Sequence, residues 1–260
     1  MAKVKCLLVG LRQYSSVASA SARTAPGSES ELSNWTKRQL PERKVLKGRY
    51  VILEPLDAGK HGEGLYQAST AEGAEGLFRY LPDHTPTSRA EFEKWLERSE
   101  ASKDPLFFAV IEKTSGKVGG RQALQRIDPE NGVIETGNKF WSPLISRRPA
   151  ATEAQFLFMS YVFDDLGYRR LEWKCHADHD MAKRAAQRFG FVFEGIFRQN
   201  LVHKGQEKDT AWFSILDKDW PHLRAAYEKW LARENFYANG QQIRKLGEIR
   251  REMSAHFFRY

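Results

Sequence analysis

The sequence predicts an α/β fold, a mixed sheet flanked by helices and followed by a mostly helical C-terminal extension. Three observations carry this. Between 133 and 216 the hydrophobic pattern alternates strand, helix, strand, helix, strand, which argues for helices packed on a sheet rather than a bundle. Ahead of that region, two helical segments lead into short apolar runs separated by turn residues, the pattern of a strand meander. Beyond 221 the composition is mainly helix-forming.

Taken in order, 31–44 is polar, contains Pro41, and reads as a connector or short helix. The core begins with the branched and aromatic run Arg49-Tyr-Val-Ile-Leu-Glu-Pro55, a strand ended by proline. A first helix is expected over 60–70, after which Gly73 and Gly76 interrupt the pattern. Phe92, Trp95, Leu96 and Ser99 share helical spacing over 88–99, and Ser88 with Glu91 resembles a capping box. Leu106-Phe-Phe-Ala-Val-Ile111 reads as a buried strand, Thr114-Ser-Gly-Lys117 as a tight turn, and 118–126 as its partner. Asp128-Pro-Glu-Asn-Gly132 reverses the chain into a strand over 133–141. Ala154, Leu157, Phe158, Tyr161 and Val162 form a broad apolar stripe on a helix over 152–165, with Gly167 placed to end it. In the strand 169–175, Leu171, Trp173 and Cys175 face one side while Arg170, Glu172 and Lys174 face the other. A helix over 180–189 and strand character over 191–202 and 210–216 complete the core. In the tail, Trp230, Leu231, Phe236 and Tyr237 are candidate packing residues, suited to capping the core or to supporting a homodimer.

Composition bounds the function. With 260 residues, 41% hydrophobic and 28% charged, the chain supports one sizeable core. No apolar run approaches the roughly 20 residues of a bilayer-spanning helix, so integral membrane association is not expected. The two cysteines, Cys6 and Cys175, cannot make a disulfide scaffold, and the seven histidines show no ligand spacing; no bound metal is expected. The net charge is +8, of which Lys3, Lys5, Arg12 and Arg23 contribute half before the first acid, Glu29. That acid-poor, Ser-rich start, 1–30, fits a mitochondrial presequence or a plain basic tail on a cytoplasmic protein. No basic helix, zinc finger or aromatic ribonucleoprotein motif supports nucleic-acid binding.

A series of segments resembles the GCN5-related N-acetyltransferase (GNAT) superfamily, in particular the group that includes ribosomal-protein and other N-terminal acetyltransferases. They are Gly137-Asn-Lys-Phe-Trp-Ser-Pro143, Ala151-Thr-Glu-Ala154, Leu166-Gly-Tyr-Arg-Arg-Leu-Glu-Trp-Lys-Cys175, Arg188-Phe-Gly-Phe191 and Phe193-Glu-Gly195. Lys208-Asp-Thr-Ala-Trp-Phe-Ser214 and Asp219-Trp220 resemble the family's closing strand region, so the likeness covers 45–221 and leaves 222–260 as an extension. It implies a strongly twisted sheet and acetyl transfer from acetyl-CoA to a primary amine, such as a peptide or protein N-terminus, by direct attack in a ternary complex.

The resemblance also implies where the substrates bind. Acetyl-CoA phosphates are expected at a helix start, where N–H groups and the positive helix end meet an anion without a metal. Ser146, Arg147, Arg148, Ala150, Ala151 and Thr152 occupy that place, with Pro149 at the family's central glycine position and the two arginines as compensating phosphate ligands. After the next strand the family often carries Asn and, three positions on, Ser; here they are His179, able to donate to the pantetheine arm, and Ala182. Ala186 stands where relatives carry a tyrosine acid. Glu135 is the first candidate base and Glu172 the second, each with a structural ion pair as its other reading. Asn138 and Trp141 are candidates for the substrate or pantetheine wall, Phe140 for apolar contact with the acceptor, and Tyr168 and Trp173 for packing. Cys175 is not expected to act as a nucleophile. The competing function, given the altered loop and missing hydroxyls, is an inactive acyl-CoA-binding or protein-interaction module.

Overall fold

A computed structural model describes residues 32–257, and the presequence reading and Cys6 lie outside the described residues. The chain divides into two units, Met1–Trp35 and Thr36–Tyr260. Of the first, the described part is a turn in which the Trp35 N–H donates to the Leu32 carbonyl at 2.9 Å. All that follows concerns the second.

Its sheet has eight strands: β1 (Leu46–Lys47), β2 (Val51–Pro55), β3 (Leu106–Glu112), β4 (Val118–Asp128), β5 (Val133–Trp141), β6 (Arg170–His176), β7 (Val192–His203) and β8 (Gln206–Leu216). Their spatial order is β1-β2-β3-β4-β5-β6-β8-β7, antiparallel except for the parallel pair β5 and β6. The helices are α1 (Ala58–Thr70), α2 (Glu75–Phe78), α3 (Arg89–Ala101), α4 (Pro149–Ser160), α5 (Asp180–Phe189), α6 (Trp220–Leu231) and α7 (Leu246–Phe257). The expected mixed α/β architecture with a helical extension is the one observed.

Local chemistry explains the boundaries. The Asp57 carboxylate accepts the Lys60 N–H and starts α1 two residues before the apolar spacing does. Ser88 accepts the Glu91 N–H, but the Glu91 carboxylate turns to the Thr87 N–H and hydroxyl, so only half of the expected capping box forms. α4 begins at Pro149 rather than 152: proline's fixed φ suits the first helical position, where its missing N–H has no helical partner to lose. At its other end α4 widens into a π-helical turn, Tyr161–Asp165, before Gly167 adopts φ +64°. The segment read as a connector or helix forms neither helix nor strand from Trp35 to Val45.

One face of the sheet packs on α4, α5, α6 and α7 through Phe108, Leu124, Ile134, Phe158, Leu171, Phe213 and Ile215, all essentially fully buried. The other carries α1 and α3, through Leu56, Leu65, Phe92 and Leu96. The tail is integral to the larger core: Trp220, Leu223, Tyr227 and Trp230 are buried, and the Tyr227 ring stacks on Phe156 at 5.3 Å. Tyr237 of the tail is exposed instead.

α4 is tied to the sheet by one carboxylate. Glu153, 4% exposed, accepts the N–H groups of Arg49, Tyr50 and Val51 at 2.8, 2.5 and 2.9 Å. Gly48 leaves the room for it, since a Cβ there would lie 2.3 Å from the Glu153 carboxyl carbon.

Candidate active site

The two parallel strands open the molecule. β5 and β6 pair only through Val133 with Arg170, Ile134 with Leu171 and Glu135 with Glu172; beyond these β5 runs on to Trp141 without β6 beside it. A shift in the β4–β5 register and a positive φ of +50° at Asn138 bend β5 at this point. The result is a wedge with its apex at Glu135 and Thr136.

One wall of the wedge faces α4 and α5. Trp173 and Cys175 of β6 are buried there, and Trp173 packs on Phe189 and Phe191. Trp141 meets Phe189 edge to face at 6.3 Å and donates its indole N–H to Gln122. Lys139 reaches from β5 across the gap to β6, its Nζ 3.8 Å from the centre of the Trp173 ring. Burial pulls the Lys139 ammonium well below the ordinary lysine range, against the opposing pull of Glu135 and Cys175. Burial likewise pushes the Cys175 thiol up to about 11, which keeps it protonated and unsuited to attack.

The opposite wall is a charged network. Register places Glu135 and Glu172 side by side, an arrangement that demands cations. Lys174 supplies one, 3.1 Å from Glu135 and 2.8 Å from Glu172, with its Nζ over the Trp212 ring. Arg170 donates to Glu172 at 2.8 Å and, through both terminal nitrogens, to Glu194. Glu135 also accepts from Gln125 at 2.7 Å and pairs with Arg126 at 3.0 Å. The Glu135 side chain is 4% exposed and that of Arg126 is 58% exposed, so Arg126 is the partner that can leave. Asn138 donates to Gln125 at 2.5 Å and stands on this wall, whereas Trp141 stands on the other. Phe140 offers no acceptor contact: it is 1% exposed and packs on Phe78 at 4.9 Å.

The loop before α4 distributes its work differently from the expectation. The left-handed residue is Arg147, φ +60°, which frees Pro149 to open the helix. Ser146 donates its hydroxyl to the Trp141 carbonyl at 2.6 Å and closes the loop. Ala150, Ala151 and Thr152 have buried side chains, so only their backbone can face an anion. Arg147 and Arg148 are exposed, and Arg148 caps α4 without a side-chain hydrogen bond. Sequence reasoning misses a further cation: Arg188 on α5 donates to the Thr152 hydroxyl at 3.0 Å and so lies beside the first turn of α4. It also lines a cavity of about 670 Å³ together with Gln242, Lys245, Arg250 and Arg251.

The His179 side chain makes no cap hydrogen bond; its ring stacks on Tyr80 at 4.1 Å and burial lowers its pKa. His176 meets the same tyrosine at 5.3 Å. The β7–β8 hairpin reaches this region too: Lys204 donates to the Phe78 carbonyl at 2.7 Å, and the His203 ring lies 3.4 Å from the Arg79 carbonyl. Ala186 is fully buried, and Ala182 packs partly buried against the core.

The wedge suits a thioester with a long amide-bearing arm. Its walls are apolar on one side, β5 has strand edge to spare beyond the apex, and the buried Thr136 hydroxyl at the apex and Trp212 indole N–H have no protein partner. The arginine-flanked start of α4 suits the phosphates. Among the described residues no group of three or more His, Cys, Asp and Glu side chains is arranged for a metal, and no helix is long and apolar enough to cross a membrane.

Comparison with known proteins agrees with this geometry. Residues 51–192 match the family described as "Acetyltransferase (GNAT) domain". A GCN5-related N-acetyltransferase of known structure from Brucella melitensis is 63% identical, with a TM-score of 0.83 over 84% of this chain and 99% of that one. A GNAT-family acetyltransferase structure titled as probable, from Chromobacterium violaceum, is 34% identical, with a TM-score of 0.70 over 77% of this chain and 100% of that one. "Putative ribosomal N-acetyltransferase YdaF" of Bacillus subtilis is 24% identical over 170 residues, 65% of this chain and 91% of that protein. The chain therefore belongs to the GNAT family, the acyltransferases that draw on acetyl-CoA.

Proposed function

We propose that the protein acetylates a primary amine, of the class of peptide or protein N-termini, by direct attack on acetyl-CoA bound in the same complex. The single observation that carries this reading is the wedge between β5 and β6, whose pairing stops at Glu135 and Glu172, with a buried carboxylate at its apex. Arg147, Arg148 and the backbone of Ala150, Ala151 and Thr152 hold the phosphates, the wall of Trp141 and Trp173 receives the pantetheine arm, and His179 at the start of α5 donates to it. The acceptor approaches from the charged wall. Its ammonium takes the place of Arg126 at Glu135, which then removes the proton that must leave before nitrogen can attack. Lys174 and Gln125 stay in place and hold the carboxylate; Glu172, shared between Arg170 and Lys174, positions Lys174. The thiolate of CoA is a good leaving group, which fits the alanines at the two positions where relatives carry hydroxyls. YdaF's name supports a ribosomal protein as one acceptor to include.

The test is thiol release from acetyl-CoA with a panel of amines and N-terminal peptides, ribosomal sequences included, and mass detection of product. Acetylated amine is the expected outcome. Cofactor binding with no product across the panel would support the inactive module instead. Glu135→Gln is expected to lower kcat by about 10²-fold or more, with little change in acetyl-CoA KM. An equal loss in Glu172→Gln and none in Glu135→Gln would exchange their roles.

A further inference from the structure

The proposed transfer leaves Lys139 unused. It is a lysine turned inward from β5, beyond the last β5–β6 pair, and its Nζ sits on the face of Trp173 across the gap. Among the described residues no carboxylate lies within ion-pair distance of it; the cations on the other wall take up Glu135 and Glu172. A lysine held this way has two costs, a desolvated charge and a side chain standing where the apolar wall should be continuous. Cation–π contact with one indole offsets only part of the first. The charge cost disappears if the nitrogen is uncharged or acylated.

From this placement we infer that Lys139 is a self-acetylation site: its amine takes the acetyl group from acetyl-CoA bound in the wedge when no acceptor is present. The inference rests on the acetyl-CoA reading above. In the step the neutral Nζ forms a bond to the thioester carbonyl carbon, and the carbon–sulfur bond breaks. CoA leaves as thiolate and takes up the proton that nitrogen sheds, so that one amine and one thioester give one amide and one free thiol. The product has no charge to bury, and its added acetyl group stands in the cleft beside Trp173. Self-acetylation thus marks a protein that has met acetyl-CoA without an acceptor and narrows the path for the next molecule.

The experiment incubates the full chain with isotope-labelled acetyl-CoA at neutral pH, without acceptor, and maps the label by peptide mass spectrometry. Lys139 is expected to take label faster than the exposed Lys37 and Lys60, because a lowered pKa leaves a larger neutral fraction of the amine at neutral pH. The preference is expected to vanish in urea, and Lys139→Arg to lose the fast phase. A second arm uses acetic anhydride in place of acetyl-CoA and reads the reactivity of Lys139 whether or not CoA binds. Label spread evenly over the lysines in both arms would overturn the inference. So would an unlabelled Lys139 in a protein that binds acetyl-CoA and acetylates added amines, an outcome that leaves the proposed function standing. Preferential anhydride labelling with no acetyl-CoA binding would instead remove the proposed function, and self-acetylation with it, while leaving the reactive lysine.

Discussion

Replacing Glu153 by alanine is expected to cost stability out of proportion to one side chain. Its carboxylate accepts three backbone N–H groups in the turn into β2. Arg49 is exposed, so water can replace its partner, whereas Tyr50 and Val51 are partly or fully buried. Two stranded donors at about 1–3 kcal/mol each give roughly 2–6 kcal/mol. At about 2–4 °C per kcal/mol for a domain of this size, a mid-range loss of ~4 kcal/mol lowers Tm by about 8–16 °C. Gly48→Ala supplies the internal control. In the wild type its Cβ would fall 2.3 Å from the Glu153 carboxyl carbon and displace it, but in the Glu153→Ala background no carboxylate is there to displace. Urea unfolding of the two single variants and the double variant should show that Gly48→Ala is costly only when Glu153 is present, a coupling of at least about 1 kcal/mol. Equal costs in both backgrounds, or a loss below about 1 kcal/mol for Glu153→Ala, would refute the account of how α4 is anchored.

Other expectations concern the site. Arg147→Ala and Arg148→Ala should each raise acetyl-CoA KM by about 3–10-fold with kcat nearly unchanged, an effect that shrinks as salt is added; salt-insensitive KM values would place the phosphates elsewhere. Cys175, with its thiol pushed up to about 11, should resist iodoacetamide at pH 8 in the folded protein and react at once in urea; rapid alkylation when folded would mean that the β6 wall is open. The depressed pKa of His179 has a definite sign: between its folded value and the ordinary 6.5 the unfolded chain binds more protons, so stability falls as pH drops through that window. Tyr80→Ala should move the His179 titration, followed by NMR, back toward 6.5; an unchanged titration would show that the tyrosine does not bury the ring.

Where the sequence was informative, one backbone rule governed many residues. Alternation along 169–175 correctly separates Leu171, Trp173 and Cys175 from Arg170 and Lys174, and the stripe at 154–162 faces the core as its spacing requires. Its blind spots are matters of register. That Glu135 stands beside Glu172 follows from a parallel pairing of strands nearly forty residues apart, and no local pattern reports it. Once that pairing is known, Lys174 is the evident cation, because parity puts it on the same face. Tyr80 lies in an irregular stretch between short elements and carries no periodicity. Reading Pro149 as an obstacle equates a motif position with a conformation; the chain instead places its left-handed residue two positions earlier. The half-formed capping box has its own local cause, since the Glu91 carboxylate accepts from the Thr87 N–H and hydroxyl.

The hairpin that reaches α2 has a bearing on how this surface tolerates sequence change. Lys204 and His203 bind the carbonyl oxygens of Phe78 and Arg79, not their side chains. Such a latch recognises the path of the main chain, so substitutions at Arg79 leave it closed, while Lys204→Met opens it. The surface around these contacts can therefore change side chain by side chain while the main-chain contacts that hold the hairpin to α2 persist.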